Sequence, residues 1–456
     1  MSHLTLHRRQ VLQLLGTAAV LPALGAGFAQ AQETSAARMI VLSDLHSAYE
    51  RTAQLLAAIE AEIAASDAPA AILINGDVFE LGNVVATRSG AEIDWAFLAR
   101  LASLAPTVLN IGNHEPDIEN DLAIVIAQAN DLGITVLSNI VDARTGAPLT
   151  DAAATLDLGG LPVRVIGIAT HAITTYPAPT RELIEIPDPA VWARENLAAA
   201  LEGDAFPVVL SHAGVIPDRD AILPLLADGG LLIGGHDHLI LDHSEGDTRY
   251  IHTGSWSSLF TVAEISADGA VAIARRAIDL DAPADAELAA LIAATLDAHL
   301  TDEERAVVGA SPAAQTLSES ARFVAATMAE TTGADIGFIG HTTFGTGFPA
   351  GDVDLYTFNS VVRFDGTLVQ AEVDAGVLEE ILARANQDGD IALAARTGDF
   401  LYAAPDALEA KDTYTIVTND WSAINQASYF GREDLEFTEV PDLRVKALVI
   451  EALSGN

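Results

Sequence analysis

The chain has no cysteine, and only two of its 456 residues, Lys411 and Lys446, are lysine. Without thiols, disulfides and thiolate-bound zinc are excluded, so any metal must sit among nitrogen and oxygen ligands. Basic side chains are scarce: 23 Lys and Arg face 64 Asp and Glu, a formal net charge of −41. Such a surface repels nucleic acid polymers and anionic lipid, so neither is an expected partner; the acidity reads as solubility in a salty setting. Aromatic residues are few, yet half the chain is apolar, much of it alanine, which excludes disorder for the bulk. No internal repeat is present, and no segment after the N-terminus is apolar for long enough to span a bilayer.

What is present begins with a leader pattern. Arg8-Arg9-Gln10-Val11-Leu12 opens into an apolar run through Phe28, and Ala29-Gln30-Ala31 supplies a small-x-small cleavage site. Residues 1–31 therefore read as a twin-arginine signal peptide, with the mature protein periplasmic and free of the membrane after its removal. The remaining length exceeds one ordinary core and suggests two domains. From 32 to 278 strand-like runs alternate with helical ones, as in βαβ units. Tyr49–Ala65, Ile93–Leu104 and Val191–Leu201 read as helices. Ala153–Leu158 and Val163–Ile168 read as a strand pair, and Tyr250–Ser266 and Val271–Ile278 as closing strands. Residues 279–299, rich in alanine and acids, suit a linker helix. A second domain over 300–456 opens with a helix at Ser318–Thr332, with strands expected around Ala334–Ile339, Val361–Val373 and Thr413–Val417.

Five apolar runs each end in residues able to bind metal. They deliver Asp44 and His46, then Asp77, Asn113, His212, and finally His236 and His238. Strand ends converge on one crevice in layered α/β folds, so the repetition points to a single site. A carboxylate such as Asp77 can bridge two cations, and the Asn113 carbonyl adds a ligand without charge. Two divalent cations, manganese, iron or zinc, suit this mixed set and would clamp a phosphoryl group and activate water. His114 is expected to face the ester rather than the metals. Asp117, three residues on, is placed to accept a hydrogen bond from its ring and hold it protonated for the leaving oxygen. Any one Asp, Asn or His after a strand is an ordinary turn former, but five coincidences together are not. His171, His243, His252 and His299 lack a spacing partner and read as loop or packing residues, His171 being the best placed to line the cleft.

In order and separation these stretches, D-x-H, G-D, G-N-H-E, S-H and G-H-x-H, resemble the motif set of the calcineurin-like metallophosphoesterases. Asn113-His114-Glu115-Pro116-Asp117 further resembles the 5′-nucleotidase branch, where the His and Asp of this motif form the catalytic dyad. The resemblance implies a four-layer αββα metallophosphoesterase sandwich. A smaller α/β C-terminal domain of 5′-nucleotidase type would follow it as the substrate domain. In that family the second domain supplies an arginine from a G-G-x-R turn and aromatic rings that sandwich a base. Here the turn reads Gly340-His341-Thr342-Thr343-Phe344-Gly345, without arginine. His341, Phe344, Trp421, Tyr429 and Phe430 are the candidates for a different pocket, although each also suits ordinary packing.

The function implied is an exported dinuclear-metal phosphoric ester hydrolase acting on nucleotides or related small phosphate esters through metal-activated water. Two alternatives remain: a periplasmic thiosulfohydrolase of the same architecture, and a non-catalytic periplasmic binding protein that retains the metal site. Nothing in the sequence fixes the oligomeric state.

Overall fold

The computed structural model describes residues 36–226 and 229–455; the leader expected over residues 1–31 lies outside them. Period-two alternation in the first strand, Ala37–Leu42, sorts its side chains onto two faces, and both faces are buried. Ile40 and Leu42 join Ile72, Ile74 and Leu109 against the helices Tyr49–Ala64, Glu92–Leu104 and Ala286–His299. Met39 and Val41 point the other way, into a core shared with Val163, Val165, Val208, Leu210, Leu231 and Ile233. That second core lies between two six-stranded sheets.

The first sheet runs in the order Val271–Ala277, Leu259–Ile265, Ala37–Leu42, Ala70–Asn75, Thr107–Asn110 and Thr135–Leu137. Its last four strands are parallel. The second runs Ile240–Glu245, Thr248–Thr253, Gly230–Gly234, Phe206–Ser211, Leu161–Ile168 and Ala153–Leu158. Its inner pairs are also parallel. Helix Pro189–Ala200 covers its outer face through Ala193 and Leu197. Helices outside two stacked sheets make the expected αββα layering.

Further along, a five-stranded sheet forms in the order Leu401–Ala404, Ile336–Gly340, Thr413–Asn419, Thr367–Asp374 and Thr438–Arg444. Helix Leu317–Thr332 packs on one side, begun by a capping box between Thr316 and Glu319. Its Val324 and Met328 share a core with Val209 and Leu232 of the second sheet. The described residues accordingly form one compact unit.

Three elements differ from the sequence reading. The run Tyr250–Ser266 is two strands in different sheets, Thr248–Thr253 and Leu259–Ile265, joined where Trp256 and Ser257 take left-handed backbone (φ 56° and 51°). The strand expected around Val361–Val373 begins only at Thr367, and Leu355–Val361 is a helix, which Asp354 caps by accepting from the Thr357 N–H. The linker segment is helical only over Ala286–His299, and it is packed rather than free: Leu288 and Ile292 are buried in the first core.

Candidate metal centre

Every ligand-type residue singled out from the sequence before residue 240 emerges at or just past the end of a strand in one of the two sheets. Asp44 and His46 follow Ala37–Leu42, Asp77 follows Ala70–Asn75, and Asn113 follows Thr107–Asn110. His212 follows Phe206–Ser211, and His236 and His238 follow Gly230–Gly234. The turns are tight. Asp44, His46, Asp77, His236 and His238 all have positive φ, between 50° and 73°. Asp and His tolerate this region better than most side chains, and backbone held there concentrates at functional sites.

The structure brings these residues together. Asp44, His46 and His238 place ligand atoms within 4.8 Å of one another; so do Asp77, His212 and His236, and so do His46, Asp77 and His114. The His46 and His238 Nε2 atoms are 2.9 Å apart, and His212 Nε2 is 3.0 Å from Asp77 Oδ2 and 3.9 Å from Asp44 Oδ1. His212 Nδ1 lies 2.6 Å from the Asn75 carbonyl; donating there leaves Nε2 as the inward-facing nitrogen. The buried Asn113 Oδ1 has no hydrogen-bond partner among the described residues, and neither has His212 Nε2. Orphaned buried polar atoms on a set of carboxylate, imidazole and amide donors fit divalent cations.

Electrostatics favours positive charge here. Burial alone would discourage a charged ring at His212, but Asp77 and Asp44 outweigh it and lift the ring to about 10. The same field attracts a metal ion, which would displace that proton. At His236 burial dominates, reinforced by His212, and the ring is pushed down to about 3, the neutral form a metal requires.

His114 Nδ1 is 2.7 Å from Asp117 Oδ2. Burial opposes its charge, yet Asp117 and Asp77 raise it well above an ordinary histidine. The ring borders the ligand cluster more closely than the sequence reading placed it, being within reach of His46 and Asp77. One fifth of the side chain remains exposed.

Several residues that hold the site were not singled out. Glu115, fully buried, accepts the N–H groups of Asp77 (3.0 Å), Val78 (2.9 Å) and Gly112 (2.5 Å), locking two ligand turns together. Burial and Asp77 push its carboxyl up to about 7. Its place in the G-N-H-E motif was the available signal. Asn75 donates to the carbonyls of Ser211 and Ile233, and Asn110 to those of Ile168 and Leu210, so two amides stitch the two sheets beneath the ligands. Gly112 is required for close approach: an added Cβ would strike the Asp77 carboxylate and lie 2.9 Å from His212 Nε2. Glu80, Trp256 and Arg363 surround His46, and nothing local in sequence marked them.

A cleft of about 330 Å³ opens beside this cluster. His238 and Trp256 line one side; His341, Phe344, Phe400 and Tyr402 line the other, with Arg51, Gln387, Asp388 and Arg396 among the polar groups. Of the five pocket candidates, only His341 and Phe344 reach it. The His341 ring stacks on Phe400 at 4.1 Å and lies 3.0 Å from the carbonyl of Asp237, between the two ligand histidines. Tyr429 and Phe430 are instead core residues of the C-terminal sheet, Phe430 packing on Phe338 and Phe437. Trp421 is half exposed and outside the cleft. His171 lies in a separate surface depression, 3.6 Å from Asp188. His252 is buried against the Tyr250 hydroxyl.

Nitrogen and oxygen donors gathered at the strand ends of a double-sheet α/β sandwich form groups that could hold metal ions. Residues 37–239 match the family model for Calcineurin-like phosphoesterase, so this stretch of the chain is similar to that family. Solved structures extend the likeness of fold to nearly the whole chain. The 5′-nucleotidase precursor of Thermus thermophilus is 18% identical with a TM-score of 0.60, covering 92% of this chain and 96% of that one. The 5′-nucleotidase of Candida albicans is 11% identical with a TM-score of 0.60, covering 93% and 98%. The sulfate thiohydrolase SoxB of Thermus thermophilus is 14% identical with a TM-score of 0.63, covering 96% and 95%. A search of curated protein sequences found no match.

Proposed function

We propose that this chain is an exported phosphoric ester hydrolase of 5′-nucleotidase type with a pair of divalent metals, acting on nucleotides or related small phosphate esters. One observation carries the reading: the Asp77 carboxylate belongs to two overlapping groups, one with His212 and His236 and one with His46 and His114. Asp44, His46, His238 and Asp77 would hold one ion, and Asp77, Asn113, His212 and His236 the other. Manganese, iron or zinc suits these donors. Bound there, the pair would polarise the phosphoryl group and lower the pKa of water.

The chain's own residues do the rest. With Nδ1 turned to Asp117, His114 keeps a proton on Nε2 to give to the leaving oxygen. The backbone N–H of His114 donates to Asp77 Oδ1 at 2.8 Å, fixing the carboxylate against rotation. The cleft beside His238 would receive the alcohol part of the ester, with residues 300–456 acting as a substrate domain. The net charge of −41 disfavours nucleic acid polymers as partners. Export rests on the twin-arginine pattern; among the described residues no helix is long and apolar enough to cross a membrane. Recovery of an uncleaved protein from the cytoplasmic fraction would overturn the periplasmic placement.

Incubation with manganese and a panel of nucleotides, sugar phosphates and cyclic nucleotides tests the activity. Phosphate release that survives intact in Asp77→Ala would refute the mechanism. The fold likeness to a sulfate thiohydrolase supports a second reading, hydrolysis of a thiosulfonate. Sulfate release without phosphate release from any ester would select it.

A further inference from the structure

His46 is gripped from behind by residues distant from it in sequence. Its Nδ1 faces Glu80 Oε2 at 3.3 Å, and its ring packs on Trp256 with centroids 4.3 Å apart. Arg363 touches both of these neighbours. Its guanidinium lies 4.3 Å over the Trp256 ring, while its Nη2 is 3.3 Å from the same Glu80 oxygen. Glu80, Trp256 and Arg363 thus close a ring of contacts around one imidazole. Both charged side chains are sealed from solvent, 4% exposed for Arg363 and 2% for Glu80.

The other Glu80 oxygen accepts the Gly82 N–H at 2.7 Å, which fixes the carboxylate's orientation. Its Oε2 makes no hydrogen bond, so His46, Arg363 and, at 4.0 Å, His114 are what balance its charge. Buried charge left without such neighbours is strongly destabilising, so removing one member unsettles the others. Arg363 is itself fixed by its backbone, whose N–H donates to the Thr343 carbonyl at 2.8 Å. The Cγ and Cδ methylenes of Arg363 therefore run beside Gly345, in the turn that lacks an arginine of its own.

We propose that Arg363 is a positioning residue for His46. Acting through Glu80 on one side of the ring and Trp256 on the other, it holds His46 with Nδ1–H toward Glu80 and Nε2 toward His238 and Asp77. A carboxylate facing the far nitrogen of a ligating histidine, here 3.3 Å from it, favours the tautomer with the proton on that nitrogen and strengthens the ring as a ligand. The segment after residue 300 thereby controls how tightly the centre of the first domain takes up metal, separately from any role in the cleft. This inference rests on the metal-centre reading.

The test compares Glu80→Gln, Arg363→Met and the double variant with the parent chain, using manganese alone as the probe. Calorimetric titration gives the Kd, and 15N spectra of the imidazoles give the His46 tautomer. Each single variant is expected to weaken manganese binding by about 10- to 100-fold and to shift His46 away from the Nδ1–H form. The double variant is expected to be little worse than the weaker single one. KM should change less than kcat measured at subsaturating metal. Arg363→Lys, which keeps charge but not the flat stacking surface, is expected to fall between; it carries the test if Arg363→Met does not fold. Unchanged manganese affinity and tautomer in both folded single variants would overturn the proposal, and a rise in KM alone would make Arg363 a substrate contact instead. A parent chain that binds no manganese, iron or zinc would refute the metal reading itself, a different outcome.

Discussion

The Nε2 atoms of His46 and His238, 192 residues apart, lie 2.9 Å from each other. Asp44 Oδ1 sits 3.7 Å from the same His238 nitrogen. Two basic nitrogens and a carboxylate turned toward one point form a ligand set for a cation. The tight left-handed turns after the strands are what aim them. The consequences of that arrangement can be measured.

Asp77 joins the two ligand groups, so its removal should do more than loosen one ion. Asp77→Ala is expected to lower kcat by more than about 1000-fold, the equivalent of several kcal/mol of transition-state stabilisation. Steady-state kinetics at saturating metal checks this.

His114→Asn should leave metal content unchanged while lowering kcat by about 10²- to 10⁴-fold, because only the proton donor is lost. Asp117→Asn should fall in the same direction with a smaller effect, since the ring then loses the partner that lies 2.7 Å from its Nδ1. Esters with very acidic leaving groups should be least affected, as they need no protonation. Kinetics across leaving groups of graded pKa gives the answer.

Gly112→Ala adds one methyl group against Asp77 and His212. Neither neighbour can retreat, because Glu115 accepts from the Asp77 backbone N–H and the Asn75 carbonyl holds the His212 ring at Nδ1. Metal affinity should drop by at least about tenfold, in the range of other changes that displace ligands. Titration with manganese would show it.

Away from the centre, Asp94 accepts from the Tyr49 hydroxyl at 2.6 Å and is buried under the first helix. Burial pushes its carboxyl up to about 7. A raised folded-state pKa means that its contribution to stability is fully present below the unfolded value near 4 and is lost as pH rises through about 7. Asp94→Asn should therefore gain on the parent chain between pH 4 and 8, by a few kcal/mol at most. Thermal melts of both proteins across that range test the slope.

The centre was legible in sequence because each ligand follows a buried strand directly, and strand ends of such sheets share one edge. Asn113 and His212 could be singled out as candidates from their own few neighbours. Glu80 and Arg363 could not, since their meaning lies in a contact between distant segments. Tyr429 and Phe430 stayed open between pocket and packing for a related reason: a ring suits a core as well as a cleft, and the packing of the C-terminal sheet places both in its core. The segment 279–299 looked like a linker because alanine and acids dominate it, yet Leu288 and Ile292 are enough to dock its helical part. Glu115 stood in plain view within a motif, and its three backbone partners became visible only once two turns were brought together.

The most direct test is elemental analysis of the protein purified from its native compartment, alongside Asp77→Ala prepared identically. The account predicts two equivalents of manganese, iron or zinc per chain, with at least one lost from the variant. Protein that is free of these metals yet fully active would contradict it.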